Sequence, residues 1–363
     1  MNSKVLFVLL AGAGMLGGLY LLREHTTANS AAPSVVSIAP ADAARKPRLP
    51  APRTAERSTA DAEPVPQVSR IQKLLKGEEL PEIKVADLEG YLAANHRNAT
   101  SLLAAFRLTS DRELLKEAAE KFPDDPRVAY ESWFRTQDKA ERQKWFEKWE
   151  QATPDNALAS YLAAANFFKL GDNDAALQKL EAAASKPDFS YFSRQSVQDA
   201  EEAYKAAGYS EAEAKMVAAF GLLLPHLTEL KGMSQNLAEL STAYRQAGDP
   251  DSANAVVELG TQLAHRISAG PSFMIEDLVA IASESAVLKS LDPTSPSAVP
   301  GKTVQEELDA LAAQRAALKQ AGKEYEAVLG QASAEDLVGY CDRLKLFGEQ
   351  QASSWLVEKY RTP

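Results

Sequence analysis

The sequence predicts an all-α protein built from paired helices, and three observations predict it. From about residue 68 the apolar positions recur at helix spacing amid abundant Ala, Leu, Glu and Lys, with no alternating runs that would mark strands. Ser110 with Glu113, Ser210 with Glu213 and Thr303 with Glu306 carry the spacing at which a hydroxyl and a carboxylate satisfy the free amides of a helix start. Pro123, Pro126, Pro154 and Pro187 fall where helices stop or begin.

Ahead of the helical body stand two segments of different character. Residues 1–25 read as a signal anchor or a signal peptide. Lys4 precedes Val5 to Leu22, a run of 18 uncharged, mostly apolar residues. As a helix that run measures about 27 Å, close to the thickness of a bilayer's hydrocarbon core. Small residues at Ala28, Ser30 and Ala32 offer a cleavage site, whereas Arg23 and Glu24 directly after the run favour an uncleaved anchor. Either way the body is expected on the extracytoplasmic side, membrane-anchored in one reading and secreted in the other. Residues 26–67 are rich in Pro, Ala, Ser and Thr, with prolines at Pro33, Pro40, Pro47, Pro50, Pro52, Pro64 and Pro66. So few large apolar residues cannot offset the entropy of ordering, and a disordered linker is expected.

The body, residues 68–290, carries a recurring pattern of small, aromatic and glycine residues. Its best copy spans residues 157–187: Ala164, Phe167, Gly171, Ala176, Leu180, Ala183 and Pro187. The offsets return at Ser241, Tyr244, Gly248, Ala253, Val257 and Gly260. They return again, with one extra residue in the turn, at Tyr204, Gly208, Ala214, Ala218, Gly221 and Pro225. The pattern resembles the tetratricopeptide repeat in degenerate form, since the glycine spacings exceed the family's period of about 34 residues. That resemblance implies an α-solenoid of helical hairpins with a concave binding surface. It further implies that Tyr161, Phe168 and Lys169, and later Gln235, Glu239, Thr242 and Arg245, line a partner-binding groove. The Lys and Asn set with which some family members hold a peptide carboxylate is not found.

A loop is expected at residues 291–301, LDPTSPSAVPG, and one or more C-terminal helical hairpins over residues 302–363. Val304, Leu308, Leu311, Arg315 and Leu318 alternate in steps of four and three, one apolar seam broken by Arg315, as in a helix docked on the body.

Chemistry-bearing patterns are scarce. The net charge is −10, and the stretch from Arg23 to Arg70 holds seven basic against five acidic residues, so the acidity lies in the body and disfavours nucleic acid. Cys341 is the only cysteine; it excludes an intramolecular disulfide and is expected as a buried, inert thiol. His25, His96, His226 and His265 share no ligand or catalytic spacing and are expected at the surface or at helix ends. Gly301-Lys302-Thr303 lacks the earlier glycine of a phosphate loop and reads as a helix start. Asp172-Asn173-Asp174 and Asp124-Asp125 read as helix caps rather than calcium ligands. Trp133, Phe134, Trp145, Phe146 and Trp149 read chiefly as core.

No catalytic, cofactor or metal site is therefore expected. The function expected is protein–protein interaction by a membrane-anchored scaffold, held at the membrane through residues 5–22. A self-associating structural role and a helical enzyme acting on cell-envelope material are the alternatives.

Overall fold

The computed structural model describes residues 82–361 together with Ile71 and Lys73. The apolar run at residues 5–22 and the linker at residues 26–67 lie outside the described residues. Among the described residues no helix is long and apolar enough to cross a membrane. All regular structure there is helical, with fifteen α-helices and no strand. The first five are α1 (Val85–Ala94), α2 (Ala99–Thr109), α3 (Arg112–Lys121), α4 (Pro126–Arg135) and α5 (Lys139–Ala152). The repeat-like region follows as α6 (Ala157–Leu170), α7 (Asn173–Ala184), α8 (Ser193–Ala206), α9 (Glu211–Phe220), α10 (His226–Gln246) and α11 (Pro250–Ile267). The chain ends in α12 (Met274–Leu288), α13 (Val304–Leu329), α14 (Ala334–Phe347) and α15 (Glu349–Tyr360).

The three repeat-like hairpins are closed by one kind of turn. Gly171, Gly208 and Gly248 have φ of 77°, 85° and 81°, a left-handed conformation that costs glycine nothing. The amide after each glycine reaches back to an aromatic residue's carbonyl: Asp172 to Phe167, Tyr209 to Tyr204 and Asp249 to Tyr244, at 2.9–3.1 Å. Asp172 and Asp249 cap the next helix at once, whereas α9 waits one more residue for Ser210. Ser210 with Glu213 and Thr303 with Glu306 form reciprocal caps. The expected pair at Ser110 and Glu113 does not form. Ser110 ends α2 in the left-handed conformation, and Asp111 caps α3 by accepting from the Glu113 amide. Asp125 caps α4, so both aspartate clusters serve helix starts.

The order in which the hairpins pack differs from their order along the chain. α6 lies against α10 and α7 against α11, while α8 packs on α1 and α2 and α9 packs on α14. The diversion starts where Pro187 follows α7. Asn156, capping α6, also clamps the departing strand of chain: its amide donates to the Ser190 carbonyl at 2.7 Å and its carbonyl oxygen accepts from the Ser190 amide at 3.0 Å. Phe192 then turns the backbone at φ 60° into α8.

Three cores result. The largest joins the aromatic residues of α4 and α5 to α6, α7 and α10–α13. In it Trp133, Phe146 and Trp149 are buried and in ring contact, and Trp133 stacks on Trp149 at 5.8 Å. Trp145 is partly buried, with the Lys148 ammonium 4.7 Å over its ring. A second core gathers α1–α3, and a third joins Ile71 and α9 to α13–α15. α13 spans the first and third, packing on α12 at one end and α15 at the other.

Candidate functional site

Tyr161 is buried, with its ring 6.0 Å from that of Phe189, and offers no accessible surface. Phe168 is half-buried against the main core. Lys169 is exposed and pairs with Glu229 across the α6–α10 contact. On α10, Gln235, Glu239 and Thr242 are exposed in steps of four and three, which place them on one face. Arg245 is tied back to Asn254 of α11 at 3.2 Å. The direct packing of α6 on α10 thus takes Tyr161 inside, and Gln235, Glu239 and Thr242 form an exposed polar stripe on α10.

An open concavity lies elsewhere, between α12, the loop after it and the first half of α13, with a volume of about 840 Å³. Its floor is apolar: Ile281 and Ala282 from α12, Leu308, Leu311 and Ala316 from α13. α13 meets α12 through Val304 and Leu311, both buried, yet residues 312–317 between Leu311 and Leu318 are all exposed. Small side chains there leave the wall low and the groove open. Lys289, Arg315 and Lys319 line its rim against one carboxylate, Asp309. This positive rim stands out on a chain of net charge −10. Sequence reasoning registered Arg315 only as a break in an apolar seam; the break is where the helix faces the groove.

Two carboxyl groups are raised further than the others among the described residues. Burial pushes Glu276 up to about 8, against the Phe273 amide that donates to it, with Asp277 and Glu349 adding to the rise. Burial likewise pushes Glu349 up to about 7, against the Met274 amide at 2.7 Å. Tyr191 donates to Glu276. These oxygens are taken up by amides at the start of α12, and neither carboxyl group lines the α12–α13 groove, so the pair joins α12 to α15.

His226 stands at a helix end, one of the two positions expected of it, but it is not exposed. It begins α10 but is fully buried, with Nδ1 3.4 Å from the Tyr130 hydroxyl and its ring 4.2 Å from that of Tyr191, and burial lowers its pKa to about 3. His96 and His265 are exposed, and His25 lies outside the described residues. Cys341 is buried with Sγ 3.5 Å from Met216 Sδ, and burial raises the thiol to about 12, far from a reactive thiolate.

No family model, curated protein or solved structure matches this chain.

Proposed function

We propose that the protein is a membrane-anchored, extracytoplasmic scaffold of tetratricopeptide-like hairpins that binds another protein, and that the α12–α13 groove is its docking surface. The groove carries this reading. It is an open apolar trough with a low wall of small side chains, rimmed by Lys289, Arg315 and Lys319. Such a shape suits an amphipathic helix, which lays apolar anchors into the floor and acidic side chains against the rim. The partner is therefore a protein presenting an exposed amphipathic helix with an acidic flank. The apolar run of Val5–Leu22 and the proline-rich linker support a body tethered at a membrane.

Photo-crosslinkers placed at Ala312 and Ala316 are expected to capture a defined segment, identified by mass spectrometry. That segment, made as a peptide, should bind the purified protein and gain helicity. Binding should fall at least tenfold on Arg315→Glu or Ala316→Trp and stay unchanged on Gln235→Ala. A captured segment that lacks acidic residues, or that binds the Ala316→Trp protein as well as wild type, overturns the proposal.

A further inference from the structure

Three titratable side chains from three successive helices meet where α13 docks on α12. His265 of α11 has Nε2 3.6 Å from Glu284 Oε1 of α12. Glu284 is also within hydrogen-bonding reach of Glu307 of α13. The Glu284 side chain is 12% exposed and Glu307 is buried, while His265 is open to water. Glu307 stands three residues after Val304 and four before Leu311, the buried residues through which α13 meets α12, so it belongs to that contact. Its Oε2 has no hydrogen-bond partner among the described residues. α10 packs on α12 as well; beyond His226, which lies with Tyr130 and Tyr191, the buried residues of α10 carry no ionisable group. Glu276 and Asp277 stand about two turns earlier on α12, with Glu349 beside them. Lys289, Asp309, Arg315 and Lys319 face the open groove.

A carboxylate only accepts hydrogen bonds, so two carboxyl groups in reach of each other bond only while one of them carries a proton. Once both ionise, like charges face each other across a buried helix contact. The exposed His265 is screened by water and opposes that repulsion weakly. Burial raises the Glu284 carboxyl group, His265 opposes the rise and Glu307 adds to it. A raised carboxyl group contributes stability below its unfolded value, ordinarily 4.5, and loses it as pH rises through the folded one. We infer that Glu284 and Glu307 share one proton across the α12–α13 contact, and that its release moves the two helices apart, so that the contact is a proton-operated hinge of the groove. Ile281 and Leu311, each about one turn from the pair, belong to the groove floor and move with it. As a control of docking the hinge rests on the groove's being the docking surface; the movement itself does not.

The movement gives the test. Full-length protein in detergent is spin-labelled at Lys289→Cys and Gln314→Cys, and the distance between the labels is measured from about pH 5 to about pH 8.5 with EDTA present; Cys341 is buried and stays unlabelled. The distance is expected to lengthen reversibly by about 2 Å. Glu307→Gln, whose amide donates to Glu284 with no proton to lose, should keep the short distance throughout. Glu284→Gln should do the same and decides alone if Glu307→Gln does not fold. Glu276→Gln should leave the transition in place, which separates the hinge from the acid pair at the start of α12. A distance independent of pH in the wild type, a transition that persists in Glu307→Gln or is lost in Glu276→Gln, or one that needs a divalent cation in place of EDTA overturns the inference. The docking arm uses the peptide captured at Ala316, whose binding should weaken at least about fivefold from pH 6 to 8.5 in the wild type and stay constant in Glu307→Gln. Equal weakening in both proteins overturns the control of docking. Failure to capture any peptide removes the docking reading alone, because the distance change needs no partner.

Discussion

The α6–α7 and α10–α11 hairpins bury small residues without Asp, Glu, Lys or Arg, whereas α8–α9, closed by the same glycine turn, buries both small residues and charge. Ala164, Ala176 and Ala183 of the first hairpin are fully enclosed, as are Ser241 and Ala253 of the last. In α8–α9 the enclosed residues include Asp199, Glu201, Glu213 and Lys215. Small residues let two helical pairs approach closely and add a common core. Charges need partners, and α14 supplies them for two of these residues: Lys345 reaches Glu201 at 2.9 Å, and Asp342 pairs with Lys215. The turn and its small residues therefore specify a hairpin, while residues outside that signature specify its neighbours. That is why three similar hairpins end in two different places.

The largest expected effect of a substitution breaks the charged half of this contrast. Glu201 holds Lys205, Lys215 and Lys345 at 2.9–3.3 Å with its side chain 2% exposed. Glu201→Ala leaves Lys215 buried with only Asp342 as a close partner, and should cost about 4 kcal/mol in urea unfolding. A loss below about 1 kcal/mol would mean that apolar contacts alone dock α8–α9 on α14.

The α8–α14 contact and the α12–α15 contact should respond to pH with opposite sign. Burial alone would raise Glu201, but hydrogen bonds from Lys345 and Lys205, with the Lys215 charge, outweigh it and hold the pKa at about 2, against an ordinary 4.5. A depressed carboxyl contributes stability above its unfolded value, so this contribution is lost as pH falls from about 4.5 towards 2. Glu276 and Glu349, raised to about 8 and 7, contribute fully below 4.5 and lose that contribution as pH rises through those values. Unfolding free energy should then drop by about 6 kcal/mol between pH 5 and 8.5. Glu276→Gln should flatten that alkaline slope, and Glu201→Ala should flatten only the acid one. An unchanged alkaline slope in Glu276→Gln would remove the buried acid pair from the account.

Much of the helical architecture was legible because its signals are local. Glycine turns, aspartate caps and the small residues at Ala164, Ala176 and Ala253 act within one hairpin, and each stands where the spacing places it. The hidden part depends on partners remote in sequence. Nothing near Tyr161 announces that α10, rather than α8, lies beside α6, so the residue read as groove-lining is core. The α12–α13 groove arises from the divergence of two helices, and exposed alanines at 312 and 316 look like ordinary helix formers in a sequence. His226 is concealed in the same way, since its cover comes from Tyr130 and Tyr191, one of them 96 residues away.

A smaller effect sharpens the steric half of the contrast. A Cβ built on Gly260 of α11 would lie 2.5 Å from Val287 Cγ1 of α12, a side chain that is itself fully buried. Alanine gains about 1 kcal/mol of helix propensity there, but the overlap costs about 2 kcal/mol. Gly260→Ala should therefore lose about 1 kcal/mol on balance. Combined with Val287→Ala it should cost less than the sum of the two single changes, because the added methyl enters the space the valine vacates. Strict additivity would show that α11 and α12 separate instead of interlocking.

The smallest effect is expected at the residues the repeat resemblance marked as a groove. Lys169 and Glu229 have side chains 58% and 28% exposed, and an ion pair so open to water is screened and entropically costly. Lys169→Ala should change stability by no more than about 0.5 kcal/mol, and raising the salt should erase even that difference. A loss above about 1.5 kcal/mol, persisting in high salt, would show that the α6–α10 contact depends on charge as the α8–α14 region does. The distinction between the two kinds of hairpin would then fail at the point where the small-residue region is most exposed.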